Sequence, residues 1–115
     1  MSDCIFCRIV AGEISAKEVA RSAGAIAFHD LNPQAPVHVL VVPTTHLDNA
    51  AATDTDEGER VMGRTVRLAV QVAHQLGLSR TGYRLVMNSG PDGGQSVGHL
   101  HVHVLGGRAM KWPPG

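Results

Sequence analysis

The segment His99-Leu100-His101-Val102-His103-Val104-Leu105 alternates imidazole with aliphatic side chains. On an extended chain, residues two apart project to the same side. The segment therefore reads as a strand over about Gly98 to Leu105, with Leu100, Val102 and Val104 entering a core. The opposite face then carries three imidazoles about 6 to 7 Å apart along the strand. One histidine on an amphipathic strand is ordinary surface. Three in register are not. Two chemistries fit such a row, a three-histidine zinc site and nucleophilic catalysis by imidazole.

Directly upstream lies Asn88-Ser89-Gly90-Pro91-Asp92-Gly93-Gly94-Gln95-Ser96-Val97. It lacks the Gly-Lys-Ser/Thr ending of a P-loop. Gly93 and Gly94 nevertheless allow backbone N–H groups to approach an anion closely. Gln95 and Ser96 add side-chain donors at the entrance to the histidine strand. A loop of this kind is usually a solvated turn. Its position just before three histidines makes it a candidate phosphate cradle.

Moving outward, residues 83 to 88 (YRLVMN) read as a strand. From Asp56 to Leu76 the period changes: Met62, Val66, Ala69, Ala73 and Leu76 share one helical face, with Val61, Leu68 and Val72 as a second apolar stripe. Thr53 to Thr55 offer N-caps and Gly77 a stop. VHVLVV at 37 to 42 is a β-branched strand ended by Pro43. EVARS (18 to 22) and AIAFH (25 to 29) are short strands joined at Ala23-Gly24. DCIFCRIV (3 to 10) suits a short helix capped by Asp3, with Cys4 and Cys7 on one face. The class is α+β, an antiparallel sheet of about five strands with one long helix and a short N-terminal one.

Composition narrows the function classes. Ten basic and ten acidic residues cancel, so the chain lacks the electrostatic footprint of a nucleic-acid binder. No stretch has the length of a membrane span and no basic-then-apolar leader is present, so a cytoplasmic location is expected. In that reducing compartment Cys4-x-x-Cys7 points to metal or redox chemistry more than to a structural disulfide. Alone it is half a zinc site, and equally compatible with two buried thiols. His74, on the helix, reads as solvated surface.

The run G-G-Q-S-V-x-H-x-H-x-H-V-L-G-G-R resembles the histidine-triad (HIT) superfamily, in particular its Hint-type nucleotide-binding branch. The likeness continues through Asp3 to Ile9, Ala27-Phe28-His29-Asp30, Pro33 to Pro43 and the closing Trp-Pro-Pro-Gly. It spans essentially the whole chain, implying a single HIT domain over 1–115.

The resemblance implies a purine nucleoside phosphoramidase acting on AMP- or GMP-type ligands. His101, the middle histidine, becomes the nucleophile, with the His99 carbonyl fixing its ring. His103 contacts the phosphate, Ser96 the leaving atom, and His38 stands close to the nucleophile. Asn88, Gly94, Gln95 and Val97 fall around the phosphate. Asp30, flanked by His29 and Leu31, corresponds to a ribose-binding carboxylate, and Ile5, Phe6, Ile9, Ile14 and Phe28 to the base slot. A structural zinc on Cys4, Cys7, His46 and His99 is implied, as is a homodimer formed through the long helix. The C-terminal tail with Trp112 corresponds to a segment that influences leaving-group choice. Gly98 departs from some animal relatives, which carry a bulkier residue there. Two rival readings remain. One is a dinucleoside polyphosphate hydrolase like the Fhit branch; the other is a zinc-containing nucleotide-binding scaffold with little catalysis.

Overall fold

The computed structural model describes residues 3–115. In chain order the elements are helix α1 (Ile5–Val10), strands β1 (Glu18–Arg21), β2 (Ala25–His29) and β3 (Val37–Pro43), helix α2 (Asp56–Gln75), and strands β4 (Tyr83–Val86) and β5 (Val102–Gly106). The strands form one antiparallel sheet in the order β1-β2-β3-β5-β4. A 3₁₀ turn, Ala50–Thr53, precedes α2.

The two faces of the sheet are built differently. Ala25, Ala27, Val39, Val41, Val102 and Val104 pack against Leu68, Ala69, Val72 and Ala73 of α2. Ile26, Phe28, Leu40 and Val42, the alternate residues of β2 and β3, pack with Phe6 of α1 on the other side. Both faces of these two strands are covered, so 25–28 and 39–42 are unbroken apolar runs rather than alternating ones. A strand buried on both sides is also a rigid platform for a site.

Helix α2 begins at Thr55, whose hydroxyl accepts from the Gly58 N–H at 2.9 Å. It buries Val61, Thr65, Leu68, Ala69, Val72 and Ala73. Of the two expected stripes, the one through Val61, Leu68 and Val72 thus goes to the core with Ala69 and Ala73. Met62 and Val66 stay half-buried and Val70 is exposed.

Three expectations need correction. Helix α1 is capped by Cys4, not Asp3: the Cys4 sulfur accepts from the Cys7 N–H at 3.4 Å. Strand β4 stops at Val86, which leaves Asn88 in the following loop. The last strand starts at Val102, not Gly98. Its partner β3 ends at Pro43, which has no N–H to offer, and the Leu100 N–H goes instead to Leu47 O at 2.7 Å. His99 and His101 therefore precede the ladder.

Among the described residues no helix is long and apolar enough to cross a membrane.

Candidate active site and metal centre

Because the chain leaves the ladder before Val102, the three triad histidines do not form an even row. The rings of His101 and His103 lie 5.0 Å apart, closer than simple strand spacing. His99, fully buried, turns toward α1 and the loop after β3. Phe6 touches both parts, edge-on to His99 at 5.8 Å and to His101 at 5.2 Å.

Each ring's role follows from what its other nitrogen does. A carbonyl can only accept, so the 2.7 Å contact from His101 Nδ1 to His99 O places the proton on Nδ1. The Nε2 lone pair is thereby left for the cavity. At His38 the logic reverses. The Gln34 backbone N–H donates to Nδ1 at 3.0 Å, so a neutral ring carries its proton on Nε2. That N–H donates to His103 Nδ1 at 2.9 Å, with Asp30 Oδ2 at 3.4 Å from the same nitrogen. His103 must then hold its own proton on Nε2. The pair presents one acceptor nitrogen and one donor.

Charge state supports this division. His103 is pushed down to about 4, first by desolvation and then by its neighbours His101 and His38, against the pull of Asp30. His38 is lowered too, by desolvation, with Asp30 opposing. Both rings are neutral at pH 7.

His101 and His103 open into a cavity of about 300 Å³, at the small end of the range for ligand sites. Its wall includes Ile5, Phe6, Ile9, Ile14 and Phe28, and its rim Asp30, His29, Leu31, Ser96 and Val97. His101 is only 4% exposed, so it meets the cavity from a packed position. Leu31 is 90% and Ile5 47% exposed, forming an apolar lip. Ser15, Ala16, Lys17 and Leu40 also line the cavity. Leu40 was findable, being two residues from His38 on the same strand. Ser15 to Lys17 carry no motif.

The loop before the triad behaves differently from its expected cradle role. Asn88, Gly94 and Gln95 do not line the cavity. The Gln95 amide is spent on backbone: it accepts from Gly90 N–H at 2.9 Å and donates to Asp48 O at 2.6 Å and Val97 O at 2.9 Å. Its place is to brace the loop that carries Ser96. Gly94 sits at φ +79°, and a Cβ at Gly93 would come within 2.8 Å of Ser89 O, so this turn needs both glycines. A side chain at Gly98 would meet open space.

The second constellation joins Cys4, Cys7, His46 and His99, whose donor atoms lie within 4.8 Å of one another. His99 Nδ1 is 3.4 Å from the Cys4 sulfur, 3.5 Å from that of Cys7 and 3.0 Å from His46 Nδ1; the last is 3.2 Å from the Cys7 sulfur. A tetrahedral Cys₂His₂ zinc site separates its donors by about 3.3 to 3.8 Å, so small adjustments suffice. The outer nitrogens complete the fit. His99 Nε2 donates to Pro43 O and His46 Nε2 to Asp48 Oδ1, each at 2.9 Å. Acceptors in these positions are what metal-binding histidines require.

Asp30, His38 and His103 also cluster. Metal binding there would need a lone pair on His38 Nε2, the nitrogen that carries the proton. Among the described residues neither potential metal cluster includes His101, so the three-histidine zinc reading falls.

An antiparallel five-stranded sheet with a long helix on one face and a histidine-lined cavity on the other defines a histidine-triad protein. The HIT domain family model matches residues 11–110, and the chain belongs to that family. It is similar to the "14 kDa zinc-binding protein" of Zea mays, 44% identical over 99% of this chain and 89% of that protein. It is also similar to "Adenylylsulfatase HINT1" of Arabidopsis thaliana, 42% identical over 99% of this chain and 78% of that one. Among solved structures, a HIT family hydrolase from Legionella pneumophila superposes with a TM-score of 0.93 at 42% identity, covering 98% of this chain and 100% of that one.

Proposed function

We propose that this protein is a nucleotide-binding hydrolase that cleaves the P–N bond of purine nucleoside 5'-phosphoramidates through a nucleotidyl-histidine intermediate on His101. The observation that carries the reading is the 2.7 Å bond from His101 Nδ1 to His99 O, which assigns the lone pair to Nε2 of a ring that lines the cavity together with His103 and Ser96.

In the first half-reaction His101 Nε2 attacks the α-phosphorus, a P–Nε2 bond forms and the P–N bond to the leaving amine breaks. The Nδ1–H···O=C bond stabilises the positive charge that develops on the ring. His103 Nε2–H donates to a phosphoryl oxygen, and the Ser96 hydroxyl donates to the departing nitrogen while taking up a proton from solvent, so that the nitrogen leaves as an amine and the serine stays neutral. In the second half-reaction water displaces His101, giving the nucleoside monophosphate. Asp30 accepts from the ribose hydroxyls, and the slot of Ile5, Phe6, Ile9, Ile14 and Phe28 covers the base.

The name of the Arabidopsis relative favours a second reading, in which the leaving group is sulfate and the same adenylyl group passes to His101. Sulfate departs without a proton, so Ser96 matters less to it.

Zinc on Cys4, Cys7, His46 and His99 supplies a structural tie between α1, the loop after β3 and the triad, and takes no part in bond making. The half-buried Met62 and Val66 with exposed Val70 support a homodimer through α2. The chain is read as one HIT domain over 1–115, cytoplasmic, with Trp112 in the tail tuning leaving-group choice.

The test incubates wild type and His101→Ala with adenosine 5'-phosphoramidate, adenylyl sulfate and a diadenosine polyphosphate. AMP release from the phosphoramidate above all, lost in the variant, supports the reading. Release dominated by the diadenosine substrate shifts the assignment to a dinucleoside polyphosphate hydrolase. Equal release by the variant removes the nucleophile.

A further inference from the structure

The metal centre and the nucleotide cavity share more than Phe6. Asp48 joins them through two different groups. Its carboxylate accepts from His46 Nε2 at 2.9 Å, on the metal side. Its backbone carbonyl accepts from Gln95 Nε2 at 2.6 Å, on the loop side. Gln95 in turn closes the loop through Gly90 and Val97 and so sets the position of Ser96, which lines the cavity. One residue away, Leu47 O receives the Leu100 N–H at 2.7 Å, strapping segment 46–48 to the stretch between His99 and His101. His99 itself presents Nδ1 to the cysteines and its carbonyl to His101.

We infer that Asp48 is a positioning residue that couples the metal centre to the nucleotide cavity, so that zinc and nucleotide each bind more tightly in the presence of the other. This rests on the nucleotide-binding reading above. Ordering segment 46–48 on the metal orders Gln95 and the Ser96 loop. Ordering that loop on a nucleotide holds His46 and His99 in place for the metal. Linkage makes the two effects equal in size. The metal is thus outside the bond-making steps and still bears on them, through hydrogen bonds of the chain itself. His38 and Asp30 have no direct hydrogen bond to segment 46–48 among the bonds described, and the Gln95 bond is the tie that reaches the Ser96 loop.

The experiment titrates zinc-loaded protein with a chromophoric chelator, with and without saturating AMP, and measures AMP affinity of the loaded protein by calorimetry. Wild type should hold zinc about 5-fold or more tightly with AMP bound. Asp48→Ala should lower zinc affinity by roughly 10- to 100-fold, and Asp48→Asn, which keeps an accepting oxygen, should restore most of it. Gln95→Leu removes the tie without touching a metal ligand. It should leave zinc affinity in the absence of AMP unchanged and abolish most of the AMP effect. That variant separates coupling through the bonds from coupling through global folding, which would survive it. AMP binding with no change in zinc affinity overturns the inference and leaves the proposed function standing. An undiminished AMP effect in Gln95→Leu also overturns it. Failure of AMP to bind overturns both.

Discussion

His99 and His101 are two residues apart, share the ring of Phe6 as a neighbour, and are put to opposite uses. At His99 the Nε2–H is spent on Pro43 O, so Nδ1 faces the two cysteines. At His101 the Nδ1–H is spent on His99 O, so the lone pair lies on Nε2 of a ring that lines the cavity. His103 differs again: His38 donates into its Nδ1 and turns its outward nitrogen into a donor. Side-chain type does not separate the proposed metal ligand, the proposed nucleophile and the proposed phosphate donor. The partner of the second nitrogen does.

This contrast can be broken directly. His101→Ala should lower phosphoramidate turnover by about 10³-fold or more while zinc content stays at one per chain. His99→Ala should do the reverse on the metal side, releasing zinc to a chelator that wild type resists. Variants that each lost both properties in equal measure would erase the division of labour.

Ser96→Ala sharpens the same picture on the leaving-group side. Loss of its donor should cost about 10²-fold in kcat for the P–N substrate. For adenylyl sulfate the cost should be several-fold at most, because no proton need follow the sulfate. Equal losses on both substrates would place Ser96 on the phosphate rather than the leaving atom.

His38→Ala leaves His103 Nδ1 without a donor. A drop of roughly tenfold in kcat with little change in KM is expected, since only the outward N–H of His103 is disturbed. A change in KM alone would assign His38 to ground-state binding.

How much of this was readable beforehand depends on range. The alternation of Leu100, Val102 and Val104, and the helical period from Val61 to Ala73, are local patterns set by burial; the helix forms where its period puts it, whereas the strand begins only at Val102, four residues later than the alternation suggests. His99 leaving the ladder was not readable, because it depends on the carbonyls of Pro43 and Leu47, distant in sequence. Gln95 was legible as a polar residue beside the triad, yet its amide is taken up by Asp48, 47 residues away. Cys4 capping α1 displaced Asp3 for a similar reason: its sulfur is held where Cys7 and His99 meet it. Ser15 to Lys17 join the cavity through long-range bonds such as His29 N–H to Lys17 O, which no local motif announces.

The smallest expected effect is on stability. His38 and His103 fold as neutral rings, with His103 lowered from 6.5 to about 4. Below pH 6.5 the unfolded chain takes up protons that the folded one resists, so stability falls with falling pH, and the His103 share is lost between about 6.5 and 4. Urea midpoints at pH 7.5, 6 and 5 should decline in wild type and decline less in His103→Asn. Identical slopes would mean that these rings are not held neutral by the fold.

The account stands or falls on which nitrogen meets phosphorus. Wild-type protein mixed with adenosine 5'-phosphoramidate, quenched within the first turnover and digested at alkaline pH, should yield an adenylylated peptide with the modification on His101. The same modification on His103, or turnover with no protein-bound nucleotide at any quench time, would contradict it.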